Sequence, residues 1–290
     1  MADRPKDVDK VTGTETTGHE WDGIRELNTP LPRWWLGLFY LCIAWAVGYW
    51  IVMPAWPGLT GYTHGLLNRS QRDVVTADVN ALKAARRAKE TELAHASLEQ
   101  IQANPDLLQF AMASGRSTFA DNCAGCHGSG GQGAHGYPNL NDDFWLWGGK
   151  LEDIEHTITV GVRSTDPNTR QSQMPAFGRD GILKPAQIDD LTEYVVHLSG
   201  RAADAAAVNR ATKLFAENCA QCHGPAGKGD RTMGAPNLTD NDWLYGPRRE
   251  DIHDQIWNGH GGVMPTWGGR LSAEEIKALA VYVHSLGGGE

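Results

Sequence analysis

Cys123-Ala124-Gly125-Cys126-His127 and Cys219-Ala220-Gln221-Cys222-His223 are two copies of one pattern, Cys-x-x-Cys-His. The pattern reads as c-type haem attachment: two thiols form thioethers to the porphyrin edge, and the adjacent imidazole binds the iron from one face. A zinc site would need further Cys or His at ligand spacing within each copy. Four of the five cysteines are used in this way. The fifth, Cys42, lies in an apolar run, where a small buried hydrophobe is expected. No cysteines remain for a disulfide framework.

Working outward, each pentapeptide sits at the same place in a repeated module. Phe119-Ala120-Asp121-Asn122 precedes the first and Phe215-Ala216-Glu217-Asn218 the second. Pro138-Asn139-Leu140 matches Pro236-Asn237-Leu238, and Trp145-Leu146-Trp147-Gly148 matches Trp243-Leu244-Tyr245-Gly246. Met174-Pro175 and Met264-Pro265 follow. Each copy closes on an apolar-periodic helix, Ile188–Leu198 and Ile276–Leu286, with Tyr194 and Tyr282 at equivalent places. Along their whole length the copies resemble class I cytochrome c domains, which implies two covalently bound haem c groups.

His127 and His223 are the expected first axial ligands. Each ring needs its other nitrogen held by an acceptor, and the cytochrome c pattern implies a backbone carbonyl in the following loop. Pro138 and Pro236, 11 and 13 residues on, are the candidates. A methionine is the expected second ligand, because Met/His ligation raises the potential. Met53 lies in the apolar run, and Met112 and Met233 have no counterpart in the other repeat. Met174 and Met264 are matched, lying 47 and 41 residues after their histidines. Spacing leaves two pairings open: each methionine in its own repeat, or an exchange between two domains packed face to face.

The chain has 290 residues and a formal net charge of −9. The first repeat carries 6 basic and 11 acidic residues and the second 8 and 10. This balance argues against a nucleic-acid partner and allows docking of a positively charged protein face. Trp34 to Met53 is an uncharged run of bilayer-spanning length, with Trp34, Trp35, Tyr49 and Trp50 at its ends. The mixed-charge residues before it and the length of the run favour an uncleaved anchor over a signal peptide. Arg25 and Arg33 flank its start, and no Lys or Arg occurs between Pro54 and Asn68, which predicts a cytoplasmic N-terminus.

The predicted fold class is mainly α: a single N-terminal transmembrane helix followed by two tandem class I cytochrome c domains. The expected division is a cytoplasmic N-terminal segment (1–31), a transmembrane anchor (32–54), a largely helical periplasmic spacer (55–106), and cytochrome c domains over 107–201 and 202–290. Residues 1–28 are polar enough to predict a segment that is unstructured or bound to a neighbouring subunit. Ala-rich 73–103 predicts helix, ended by Asn104-Pro105 and followed by another over Leu107–Asn122.

Anchor, spacer and tandem haem domains in this order resemble the diheme subunit (CcoP or FixP) of cbb3-type cytochrome c oxidases. The resemblance implies a bacterial inner-membrane protein with periplasmic haem domains, non-catalytic by itself. It would take electrons from a donor cytochrome c and pass them to a monohaem cytochrome subunit. From there they reach the haem–copper catalytic subunit, where oxygen is reduced and protons are pumped. The implied partners are these subunits, the donor cytochrome and membrane lipid. Alternative readings are a freestanding anchored diheme cytochrome, the cytochrome subunit of a dehydrogenase, and, in other classes, a diheme peroxidase or a gas sensor. The last two require an open iron position.

Overall fold

A computed structural model of the chain describes residues 7–290; residues 1–6, part of the expected N-terminal segment, lie outside the described residues. The chain divides into two compact units between Ala84 and Ala85. In the first, strands β1 (Thr16–Trp21) and β2 (Ile24–Leu27) pair antiparallel around Asp22-Gly23. Both turn residues have positive φ, 50° and 83°, the backbone of a two-residue hairpin turn matched to strand twist. The polar segment, expected to be unstructured or bound to a neighbouring subunit, thus contains a hairpin. Helix α1 (Arg33–Val52) follows, with 20 residues and no buried side chain. At 1.5 Å per residue it reaches about 30 Å, the thickness of a hydrocarbon core.

The spacer forms α2 (Gln71–His95) and α3 (Leu98–Ala103). Ser97 and Gln100 make a capping box that restarts the helix after a two-residue break. Asn104 then caps α4 (Pro105–Asn122), its side chain accepting from the Asp106 and Leu107 amides at 3.2 and 3.3 Å, with Pro105 in the first turn, where no amide hydrogen is needed. The haem-motif turns are α5 (Ala124–His127) and α9 (Ala220–His223). Around them lie α6 (Leu151–Val160), α7 (Pro185–Leu198), α8 (Ala205–Asn218), α10 (Arg249–Asn258) and α11 (Ala273–His284).

The second unit holds two apolar cores, and each draws on both repeats. The first core joins Phe119 of α4 and Ile154 and Ile158 of α6 to Ile276, Leu279 and Val283 of α11. The second joins Phe215 of α8 and Ile252 and Ile256 of α10 to Ile188, Leu191 and Val195 of α7. The final helix of each repeat therefore packs in the other repeat's lobe. Tyr282 packs its ring against Phe119 with centroids 5.4 Å apart, and Tyr194 against Phe215 at 4.8 Å, both pairs tilted. The expected division at 201/202 follows the repeats but not the cores, because the chain crosses to the opposite lobe just before each Met-Pro.

The crossing is held by backbone. Val162 and Met264 exchange two hydrogen bonds of 3.0 Å. The Trp267 and Gly268 amides donate to the Ile158 and Thr159 carbonyls, and those of Phe177 and Gly178 donate to Ile256 and Trp257. Arg163 spans the crossing strands, donating to the Gly262 carbonyl at 2.6 Å and the Ser172 carbonyl at 2.8 Å.

Candidate haem-binding sites

Each attachment motif is presented by the end of a helix. Cys123 and Cys219 cap α4 and α8, their amides bonded back to the Phe119 and Phe215 carbonyls. The buried rings of Phe119 and Phe215, each 1% exposed, pin those helix ends to the cores. The Cys123 carbonyl accepts from the Cys126 and His127 amides, and the Cys219 carbonyl from those of Cys222 and His223, so one tight turn sets two thiols and an imidazole together.

His127 Nδ1 lies 3.0 Å from the Pro138 carbonyl, and His223 Nδ1 the same distance from that of Pro236. A carbonyl only accepts, so Nδ1 carries the proton and Nε2 is left as a lone-pair donor. Burial pushes both imidazoles below their ordinary pKa, against an opposing pull from the proline carbonyls, which favours the neutral, metal-ligating form. Burial also raises the Cys123 and Cys219 thiols to about 11, with a smaller contribution from Cys126 and Cys222. All five cysteines are free of disulfides. Part-buried thiols raised in this way at Cys123 and Cys219 are poor thiolate ligands for a zinc ion.

His223 and Cys222 open into a cleft of about 1440 Å³, part of it open to solvent, with Phe177, Leu191, Val195 and Phe215 among its apolar walls. Met174, from the first repeat, lines this cleft. Met264, from the second repeat, packs with Cys123 on the core of Phe119, Ile154 and Ile158. The tertiary structure therefore brings Met174 to the second motif and Met264 to the first. An apolar cleft with one neutral imidazole, one thioether and two thiols fits a covalently held porphyrin.

The matched aromatics divide unevenly. Trp147, Trp243 and Tyr245 line the second cleft, so Trp147 reaches across from the first repeat. Trp145 packs on the first core and donates its indole N–H to the Gly288 carbonyl at 2.5 Å. Gln255 and His260 also border the second cleft. Neither belongs to a repeated motif, so no sequence signal singled them out. His253 contacts Asp189 at 3.4 Å and stacks on Trp257.

Three family descriptions match the chain. "N-terminal domain of cytochrome oxidase-cbb3, FixP" covers residues 13–60, "Cytochrome c" covers 112–199, and "Cytochrome C oxidase, cbb3-type, subunit III" covers 206–283. The chain is 55% identical to a cbb3-type cytochrome c oxidase subunit FixP of Bradyrhizobium sp. (strain ORS 278), over 100% of both chains. It is 54% identical to the FixP subunit of Azorhizobium caulinodans, over 98% of this chain and 96% of that one. A CcoP subunit of Azospirillum sp. (strain B510) is 51% identical over 97% and 98%.

Proposed function

The chain belongs to the FixP/CcoP family of cbb3-type cytochrome c oxidase subunits, and from that membership we propose that it is a two-haem electron relay, accepting from a donor cytochrome c and delivering to the oxidase's monohaem cytochrome subunit. It binds haem c, is a subunit of an oxidoreductase complex, and has the other oxidase subunits as partners. Helix α1 fits a single-pass inner-membrane protein. Our reading of its orientation, N-terminus in the cytoplasm and haem domains in the periplasm, rests on Arg25 and Arg33 before the helix.

In this reading Cys123 and Cys126 hold one haem and Cys219 and Cys222 the other. His127 and Met264 would hold the iron of the first, and His223 and Met174 that of the second. Haem c, when bound, supplies a one-electron ferric–ferrous couple whose potential its axial ligands tune. The chain's own residues do the rest. Pro138 and Pro236 fix the tautomer and plane of each imidazole, the apolar walls exclude water, and a methionine closes each site.

The observation that carries the reading is that each attachment motif has a carbonyl-bonded imidazole and a methionine packed in the same lobe, which supports closed relay sites over sites open to oxygen or peroxide. Oxygen reduction then belongs to the haem–copper subunit, reached through the monohaem subunit. Purification from bacterial membranes in mild detergent tests the relay. The chain is expected to co-isolate with the haem–copper and monohaem subunits and to be reduced by a donor cytochrome c before them. Isolation alone, or peroxide turnover by the isolated chain, would refute it.

A further inference from the structure

The two methionines are not held alike. Gln255 Nε2, on α10, donates to Met174 Sδ at 3.6 Å and to the His260 carbonyl at 3.0 Å. Both neighbours are acceptors, so the amide must turn its NH2 toward them. Its Oε1 is left buried with no partner. An orphaned carbonyl is tolerated here because the opposite orientation would set it against two acceptors.

The repeat places Thr157 of α6 where Gln255 stands on α10, since Ile154 and Ile158 match Ile252 and Ile256. The Thr157 hydroxyl is already committed: it donates to the Asp153 carbonyl at 2.7 Å and accepts from Arg170 Nε at 2.8 Å. Among the described residues no side-chain donor reaches the Met264 sulfur in this way. A thioether is a weak acceptor and a weak donor to metal. An N–H aimed at its sulfur withdraws electron density that the oxidised, more positive iron needs more than the reduced one. Hydrogen bonding around a ligand is one of the protein's levers on a haem potential.

We propose that Gln255 is a positioning residue that orients Met174 through its sulfur and sets the second haem site at a higher potential than a bare Met/His pair would give, so that the duplicated sites are not isopotential. The proposal rests on the reading that Met174 serves the second site.

The test is a spectroelectrochemical titration of the full-length, detergent-solubilised protein carrying Gln255→Leu or Gln255→Met. These two variants lack the donor but fill the space differently. Haem staining on a denaturing gel should be unchanged in both. One of the two couples should fall, with its equilibrium shifted about threefold toward the ferric form, or about 28 mV at the one-electron constant of 59 mV per tenfold change. The other couple should stay in place, and the weak long-wavelength band of sulfur bound to ferric iron should shift in both variants. Potentials unchanged in both, or a shift in only one variant, would overturn the proposal, the latter because it would mark packing rather than the donor. Met174→His separates the two layers. If it too leaves both couples in place, the ligand reading fails; if it moves one couple while the Gln255 variants move none, only the Gln255 proposal fails.

Discussion

The two haem-motif lobes are near-copies in their chemistry and differ in what covers them. Both have a helix-end cysteine, a proline-locked imidazole and an aromatic pair at the helix crossing. Only the first is buttressed by the spacer. Leu93 of α2 and Leu98 and Ile101 of α3 enter its core, and Lys277 of α11 donates to the Ala94 and Ala96 carbonyls, both at 2.7 Å. The second lobe is trimmed instead with ion pairs, Arg249–Glu193 at 2.6 Å and Arg210–Asp190 at 2.9 Å. Burying an aliphatic side chain contributes about 1.5–3 kcal/mol, whereas exposed ion pairs contribute roughly 0–1 kcal/mol. The apolar contacts tie Leu93, Leu98 and Ile101 into the first lobe, whereas the two ion pairs join helices within the second. The two copies share the attachment-motif residues and differ in their surroundings.

The largest expected effect would break the exchanged pairing. In a variant carrying only the first attachment motif (Cys219→Ser with Cys222→Ser), Met264→His should remove the long-wavelength sulfur band. It should also lower the potential by on the order of 0.1 V or more, within the ~0.8 V range that axial ligation spans. Met174→His in the same background should leave both unchanged. The opposite pattern would return each methionine to its own repeat.

A smaller effect would sharpen the comparison of the two helix crossings. Gly115 of α4 lies against the Ala278 carbonyl, and a Cβ there would stand 2.7 Å from that of Tyr282. Its counterpart on α8, Ala211, is fully buried with its methyl accommodated. Gly115→Val should therefore overpack the first crossing and cost about 1–3 kcal/mol. Ala211→Gly should cost ~1 kcal/mol, mainly through helix propensity. Thermal melts of the two variants should rank in that order, and equal losses would show that the crossings are equivalent.

The smallest concerns Asp142, half-buried beside Asp242, whose carboxyl is pushed above its ordinary value by burial and, to a lesser degree, by that neighbour. A carboxyl raised in the folded state contributes stability that is fully present below its unfolded value of 3.8 and lost as pH rises through the folded value. Asp142→Asn should thus stabilise the fold at pH 7 by less than about 1 kcal/mol given solvent screening, seen as a slightly higher melting temperature. The gain should shrink as pH falls toward 4. A gain that grew on acidification would contradict the assigned direction.

Much of the local structure is legible in the sequence because it depends on neighbours in the chain. Asn104-Pro105 ends one helix and begins another because the side chain caps and the ring lacks an amide hydrogen. The hairpin at Thr16–Leu27 was equally local, and its signal was present: Asp22-Gly23 is a turn dipeptide. Polar composition masked it, since a two-stranded ribbon shows only a weak apolar alternation. Gln255, by contrast, carries no sequence signal, because its meaning lies in a sulfur 81 residues away along the chain.

The sequence by itself marked the two attachment motifs, their histidines with the proline partners, the two matched methionines and the apolar span, all of them set by short-range spacing and composition. Only the tertiary structure decided which repeat's closing helix and methionine complete which lobe. The physical reason is the duplication itself. Two similar helices can fill either of two similar grooves, and no local pattern tells them apart. What selects between them is the path of the chain across the Val162–Met264 ladder.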